Sequence, residues 1–192
     1  MGQPKAMLPF GEELMLQRVV RLVGEVVRQD RIVVVAAADQ ELPPLPPQIK
    51  IAHDAHKNRG PLAGLAGGFA ALANTCDAIY ASGCDVPLLV PAFIQQMFEL
   101  LGNHEIAVPK DKKFHHPLAA VYRTSVNKHV QELLHADRLR PFFLFEQADT
   151  LEVPVDELRL VDAELASLAN CNVPEEYYRA LKQAGFDAAT LG

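Results

Sequence analysis

Cysteine is scarce in this sequence, and the few cysteines form no pattern that supports a disulfide framework or a zinc site. Cys76, Cys84 and Cys171 are scattered, with no CxxC pair and no cysteine–histidine cluster. No apolar run reaches the roughly 20 residues that a membrane-spanning helix needs. The amino-terminus also lacks the charged start and apolar stretch of a signal peptide. We therefore expect a cytoplasmic protein with no membrane partner.

The sequence also lacks an excess of basic residues and several well-known catalytic motifs. The chain has 18 Lys and Arg against 24 Asp and Glu, a net charge of −6, which argues against a nucleic-acid partner. There is no GxSxG elbow, no Ser-His-Asp arrangement and no GxxxxGK[ST] loop. With 192 residues and no internal repeat, the chain is predicted to form one domain over residues 1–192.

Short β-branched runs alternate with amphipathic or alanine-rich segments along the chain. This alternation predicts an α/β domain with a mostly parallel sheet covered on both faces. Strands are predicted at residues 32–36, 49–53, 78–82, 105–108, 118–122 and 151–155. Helices are predicted at residues 13–28, 62–74, 91–101, 125–135, 141–147 and 175–184. Because ligands bind beyond the carboxyl ends of the strands in such sheets, the loops that follow strands are the candidate sites.

Two of the candidate segments combine glycine with a charged residue. Lys5 follows Gly2-Gln3-Pro4 and offers a cation for phosphate, although it also fits a solvated surface lysine. Asp54 follows a predicted strand and precedes the GPLAG segment at residues 60–64, which opens a helix. The free N–H groups of that helix start suit an anion, although its glycines also fit a tight turn and close helix packing.

Three further segments carry polar side chains. Asp85 follows the strand at residues 78–82 and suits Mg²⁺, but a carboxylate there also caps turns. His115 and His116 precede a strand; adjacent residues point to opposite faces, so one exposed and one hydrogen-bonded histidine is the simpler interpretation. Asn172 fits an N-cap for the helix after it, an explanation that does not extend to Asn170.

Taken together and in this order, these segments resemble the molybdenum cofactor guanylyltransferase family. The resemblance runs nearly end to end, and its most specific parts are the GPLAG and CDVP segments, about twenty residues apart. It is carried by residues 2–5 (GQPK), 8–11 (LPFG), 60–64 (GPLAG), 84–87 (CDVP), 116–117 (HP) and 170–175 (NCNVPE). The resemblance implies a three-layer, Rossmann-like GT-A nucleotidyltransferase fold.

The resemblance also implies a reaction, a cofactor and roles for individual residues. GMP would pass from GTP to molybdopterin with release of pyrophosphate and with Mg²⁺ as cofactor. Lys5 and Asp85 would be catalytic, with Asp85 holding the metal. The nucleotide would contact Lys5, Asp54, Gly60, Pro61, Leu62, Gly64 and Asp85, and the pterin would contact His116, Asn170 and Asn172. Molybdoenzymes or cofactor-handling proteins would be the partners.

The sequence departs from the family at its amino end. The usual first strand and the LAGGxSxR part of the glycine-rich loop have no counterpart ahead of Gly2. Because a doubly wound sheet has its first strand at the centre, we expect two unpaired strand edges in the interior. We expect either a natural start upstream of Met1, or a rearranged sheet or another element or chain in the gap. A chain starting at Met1 is expected to bind GTP poorly.

A second departure concerns the choice of nucleotide. Some relatives carry an asparagine that touches the base after the strand at residues 32–36, where this chain has Ala36-Ala37-Ala38-Asp39. The GxPK form of residues 2–5 also occurs in related cytidylyltransferases. The alternatives are therefore a cytidylyltransferase, a sugar-phosphate nucleotidyltransferase, or a non-catalytic relative.

Overall fold

The computed structural model describes residues 4–54, 59–72 and 75–186, apart from the side chain of Asp54. The strands are β1 (Pro9–Phe10), β2 (Glu13–Leu14), β3 (Val33–Ala37), β4 (Lys50–Asp54), β5 (Ala78–Ser82), β6 (Ile106–Lys110), β7 (Ala119–Arg123) and β8 (Thr150–Pro154). The helices are α1 (Met15–Gly24), α2 (Gly60–Leu72), α3 (Pro91–Leu101), α4 (Asn127–His135), α5 (Phe142–Gln147) and α6 (Pro174–Gln183). None of the helices in these ranges is long and apolar enough to cross a membrane.

A short hairpin precedes the first helix, and the sequence did not predict it. Strands β1 and β2 pair antiparallel, so α1 begins at Met15 rather than at Glu13. Gly11 turns the hairpin with φ of 67°, a left-handed conformation that favours glycine. A Cβ at Gly11 would lie 2.4 Å from the ring of Phe186, so the turn needs glycine for space as well.

The larger strands form two separate sheets. Strands β3 and β4 make a two-stranded parallel sheet, and the other four strands make a sheet of order β5-β7-β6-β8. Strand β7 runs antiparallel to both its neighbours, whereas β6 and β8 are parallel. The predicted α/β class is confirmed, and the sheet is mixed because β7 reverses the chain direction inside it.

The four-stranded sheet is packed on both faces. One face meets α2 and α4 around Phe69 and Tyr122, whose rings lie edge to face with centroids 6.4 Å apart. The other face meets α3 around Phe93 and Val121. The Tyr122 hydroxyl donates to the carbonyl of Pro117 at 2.7 Å, so this buried polar group is satisfied.

A gap separates the two sheets. Each of β3 and β5 pairs with a single strand among the described residues, so each has one unpaired edge. Both strands line one cavity of about 670 Å³, together with apolar residues of α1 and α2. The expectation of two unpaired strand edges in the interior is therefore confirmed for the part of the chain that the structure describes.

Candidate active site

Four side chains, from the amino-terminal, middle and carboxy-terminal parts of the chain, meet beyond the carboxyl end of β5. The Lys5 ammonium donates to Oδ2 of Asp85 at 2.7 Å and to Oδ1 of Asn172 at 2.6 Å. The amide of Asn170 donates to Oδ1 of Asp85 at 2.9 Å. Of the residues that the sequence singled out, these four are therefore brought together into one polar network.

The backbone around β5 explains why Asp85 lies here. Strand β5 ends at Ser82, and Gly83 and Cys84 carry the chain over the sheet edge to Asp85. A Cβ at Gly83 would lie 2.6 Å from Oδ1 of Asp85, so only glycine lets the carboxylate fold back this closely. The Asp85 carbonyl accepts the N–H of Cys171 at 2.8 Å, which joins the two loops. The Asp85 carboxylate contacts Lys5 and Asn170, so the turn-capping interpretation does not account for its position.

Asn172 does not act as the helix cap that the sequence allowed. Its side chain accepts from Lys5, whereas the carboxylate of Glu176 accepts the backbone N–H groups of Asn172 at 2.7 Å and Val173 at 3.2 Å. These two N–H groups lower the pKa of Glu176 and keep it ionised at the start of α6. Glu176 therefore frees the Asn172 amide for the site.

The two cysteines beside the site are poor nucleophiles. Cys171 is 1% exposed, and burial, followed by the charges of Asp85 and Glu176, raises its pKa to about 11. Burial, followed by the charge of Asp85, also raises the pKa of Cys84. Because the thiolate is the reactive form, both residues act as packing at neutral pH.

Arg18 on α1 supports the loop after Asp85, and sequence reasoning missed it. Its Nε donates to the carbonyl of Pro87 at 2.7 Å, and its guanidinium lies 4.9 Å from the ring centroid of Phe10. Burial lowers the pKa of Arg18, and the nearby charge of Arg21 lowers it further. No local motif marks this residue, because its partners become neighbours only in the fold.

The predicted GPLAG loop forms the first turn of α2. Gly60 has φ of 70°, which explains a glycine at this position. The side chain of Leu62 is fully buried in the core, so only its backbone can serve a ligand. Pro61 and Gly64 line the cavity between β3 and β5. Their contact with a nucleotide stays a prediction.

Asp54 and His116 are the remaining predicted residues. Asp54 is the last residue of β4 and pairs with Ala37, and its side chain is not among the parts that the structure describes. His116 lies 3.4 Å from the carboxylate of Asp111, and His115 lies 2.7 Å from that of Glu152. Each histidine thus has an acidic partner, whereas the sequence analysis expected one exposed histidine and one hydrogen-bonded histidine. The two histidines lie at the same end of the sheet as Asp85, because Ala119 at the start of β7 pairs with Ser82 at the end of β5.

The ligands available at Asp85 suit a metal ion that arrives bound to a nucleotide better than a metal ion held by the protein alone. No group of three or more potential ligands occurs among residues 4–54, 59–72 and 75–186. Asp85 has a 14% exposed side chain, and each of its oxygens accepts one hydrogen bond, which leaves lone pairs free. Mg²⁺ is commonly held by one or two carboxylates and substrate phosphates, so a single carboxylate suffices.

The fold places the protein among the Rossmann-like α/β proteins, in which ligands bind at the strand ends. Molybdopterin-guanine dinucleotide biosynthesis protein A from Archaeoglobus fulgidus superposes with a TM-score of 0.74 at 20% identity, covering 96% of this chain and 92% of that one. A 2-C-methyl-D-erythritol 4-phosphate cytidylyltransferase from Thermus thermophilus gives 0.69 at 13% identity, covering 96% and 95%. At these identities the likeness establishes the fold.

Sequence similarity then identifies the family. Residues 1–153 match the family described as the MobA-like NTP transferase domain, and the chain belongs to it. A probable molybdenum cofactor guanylyltransferase from Pelotomaculum thermopropionicum is 30% identical over 94% of this chain and 85% of its own length. One from Mycobacterium avium is 33% identical over 96% of this chain and 89% of its own length. The protein is thus a MobA-like nucleotidyltransferase.

Proposed function

We propose that the protein transfers GMP from GTP to molybdopterin, with release of pyrophosphate and with Mg²⁺ as cofactor. The network of Lys5, Asp85, Asn170 and Asn172 at the end of β5 is the observation that carries the proposal. The relatives named as probable molybdenum cofactor guanylyltransferases support the choice of both substrates. A cytoplasmic location, and transfer of the product to molybdoenzymes or cofactor-handling proteins, belong to the same proposal.

In the proposed reaction an oxygen of the molybdopterin phosphate attacks the α-phosphorus of GTP. A new P–O bond forms, the bond to the oxygen shared with the β-phosphate breaks, and its electron pair leaves with pyrophosphate. Such a reaction needs an in-line arrangement and charge neutralisation more than covalent help from the protein. Mg²⁺ would neutralise phosphate charge, and Asp85 is the residue that would hold it.

Lys5 is well placed to hold a phosphate. An ammonium group has three donors, and Asp85 and Asn172 take two of them. The third donor remains for a phosphate oxygen, and the two protein contacts fix the long side chain beforehand. Asn170 similarly orients Asp85 through one N–H and keeps its amide oxygen for the acceptor. The network therefore pre-organises a cation and a carboxylate side by side.

A pyrophosphate-release assay with molybdopterin, Mg²⁺ and each of GTP, CTP, ATP and UTP tests the proposal. We expect turnover with GTP, and a loss on the order of 100-fold in kcat for Lys5→Ala and for Asp85→Asn. Lys128→Ala and Asp156→Asn, which change exposed residues elsewhere, are the matched controls. Preference for CTP would replace the proposal by a cytidylyltransferase, the alternative that the GxPK segment left open.

Nucleotide binding separates an active enzyme from a non-catalytic relative. We expect the chain to bind GTP weakly, so that turnover needs a high GTP concentration, because Val35 of β3 and Gly83 after β5 line an open cavity. Calorimetry with Mg²⁺ measures this directly, and a micromolar dissociation constant for the chain alone would contradict it. The alternative of a sugar-phosphate acceptor is tested by adding a sugar phosphate in place of molybdopterin in the pyrophosphate-release assay.

A further inference from the structure

A second pocket adjoins the network of Lys5 and Asp85. Its volume is about 350 Å³, which lies within the range of pockets that bind small molecules. Its walls are the loop of residues 168–172 and one face of helix α6. Asn170 and Asn172 line this pocket, and they also bond Asp85 and Lys5 respectively. A ligand in the pocket would therefore lie directly beside the network.

The helix wall of the pocket carries a cation whose donors are free. Glu176, Arg179, Ala180 and Gln183 line the pocket, and their spacing of three or four residues places them on one face of α6. Arg179 is exposed, and among the residues that the structure describes it has no hydrogen-bond or ion-pair partner. An arginine side chain has five N–H donors in a planar fork. All of them are available to a ligand in the pocket.

The carboxylate of Glu176 shows that Arg179 lies near Lys5. The N–H groups of Asn172 and Val173 lower the pKa of Glu176, and the charges of Arg179 and Lys5 lower it further. Both cations are thus within electrostatic range of one carboxylate, which is itself held by the two backbone N–H groups. The site therefore contains two separate cations, with Lys5 beside Asp85 and Arg179 in the pocket.

The chemistry of the pocket indicates the class of its ligand. A planar guanidinium matches two phosphate oxygens with two parallel hydrogen bonds, which makes arginine a preferred phosphate ligand. A phosphate group fills only part of 350 Å³, so the remaining space suits an organic group attached to it. The amides of Asn172 and Gln183 offer hydrogen-bond donors and acceptors to that organic group. A phosphate monoester meets these requirements.

We propose that Arg179 binds the phosphate monoester of the acceptor in the pocket between α6 and residues 168–172. The inference rests on the proposed function, and it deepens that function by assigning the two phosphate-bearing substrates to two cations. Lys5 then holds the nucleotide, and Arg179 holds the attacking phosphate. Asn172 contacts Lys5 and lines the pocket, so it links the two positions. Because each anion has its own cation, their repulsion is reduced when they approach each other.

Separate Michaelis constants for the two substrates test this assignment. In the pyrophosphate-release assay, Arg179→Ala should raise the KM for molybdopterin at least roughly 10-fold and leave the KM for GTP unchanged. Arg179→Lys keeps the charge but loses the planar fork, so it should recover only part of the loss. Lys182→Ala, which removes an exposed charge from the same helix outside the pocket, should change neither constant. An unchanged KM for molybdopterin in Arg179→Ala, or an equal rise in both constants, would overturn the proposal.

Titration with inorganic phosphate tests the pocket without turnover. The Nε–H signals of the arginines are followed by NMR, and the signal that disappears in Arg179→Lys belongs to Arg179. We expect phosphate to shift this signal to saturation and to leave that of Arg28, which pairs with Asp30, in place. An unshifted Arg179 signal would overturn the proposal. A shifted signal in a chain that releases no pyrophosphate with molybdopterin would instead overturn the proposed reaction and keep the phosphate site.

Discussion

The two sheets of this molecule contain the same kinds of residue but bury them very differently. Residues 106–109 of β6 and 119–122 of β7 are all buried, and Val121 and Tyr122 are fully so. In β3 the three successive valines are only half-buried, and in β4 Ile51 is 51% exposed. Among the residues that the structure describes, β7 has a partner strand on each side, whereas β3 has one. A β-branched run therefore specifies a strand, while the neighbours decide how much that strand stabilises the fold.

The difference extends to the site, which lies on the border between the two regions. Asp85 follows β5, which pairs with β7 on one edge and lines the cavity between the sheets with the other. Lys5 comes from the amino-terminal segment, in which Ala6 lines the same cavity. Asp85 is thus fixed by the well-packed sheet, whereas Lys5 belongs to a segment that borders the cavity.

The largest effect is expected at the centre of the four-stranded sheet. Tyr122→Ala removes a fully buried ring that packs on Phe69, and we expect a loss of about 3–5 kcal/mol in unfolding free energy. Tyr122→Phe loses only the hydrogen bond to Pro117 and should cost about 1 kcal/mol. Urea unfolding measures both, and equal costs for the two variants would mean that the ring contributes little.

A matched pair of valines compares the sheets directly. Val121→Ala in β7 should cost about 2 kcal/mol, because a fully buried side chain leaves a cavity. Val34→Ala in β3 should cost roughly 0.5 kcal/mol, because its side chain already borders an open space. Equal costs for the two variants would show that β3 is as well packed as β7.

Much of the fold follows from local sequence patterns. The predicted bounds of β5 and α3 match the structure to the residue, since a buried apolar run ends at Gly83 and a proline opens the helix at Pro91. The hairpin of β1 and β2 was missed, because two-residue strands carry too short a pattern. The antiparallel direction of β7 was missed as well, since buried strands of either direction look alike in sequence.

The site was predictable as a set of residues but not as a set of contacts. Lys5 and Asn172 are 167 positions apart, and no local pattern indicates that they meet. The sequence instead suggested a helix cap for Asn172, and Glu176 fills that role. Arg18 was not singled out, because its partner is the backbone carbonyl of Pro87, a group that every residue has.

Gly83 joins the well-packed sheet to the site, and its replacement should affect activity more than stability. A Cβ there would lie 2.6 Å from Oδ1 of Asp85, so Gly83→Ala must displace the carboxylate. We expect kcat to fall roughly 10-fold, equivalent to about 1.4 kcal/mol, with little change in melting temperature. Gly24→Ala in α1 is the control, because its Cβ would meet nothing closer than 3.9 Å. An active Gly83→Ala enzyme would show that the position of Asp85 is not critical.

The smallest effect is expected at the outer edge of the four-stranded sheet, where β8 carries Glu152. Hydrogen bonds from Lys110, followed by His115, lower the pKa of Glu152 below its ordinary value. A carboxylate with a lowered folded-state pKa stabilises the fold at pH values above its unfolded pKa, and the contribution disappears as pH falls through the folded pKa. The side chain is 44% exposed, so solvent screening limits the contribution to less than about 1 kcal/mol. Glu152→Gln should therefore lower the melting temperature slightly at pH 7 and leave it unchanged at a pH below the folded pKa. The control variant, Glu157→Gln at an exposed position nearby, should leave the melting temperature unchanged at both pH values. Thermal melts at both values measure this, and an equal loss at acidic and neutral pH would assign the effect to packing rather than to charge.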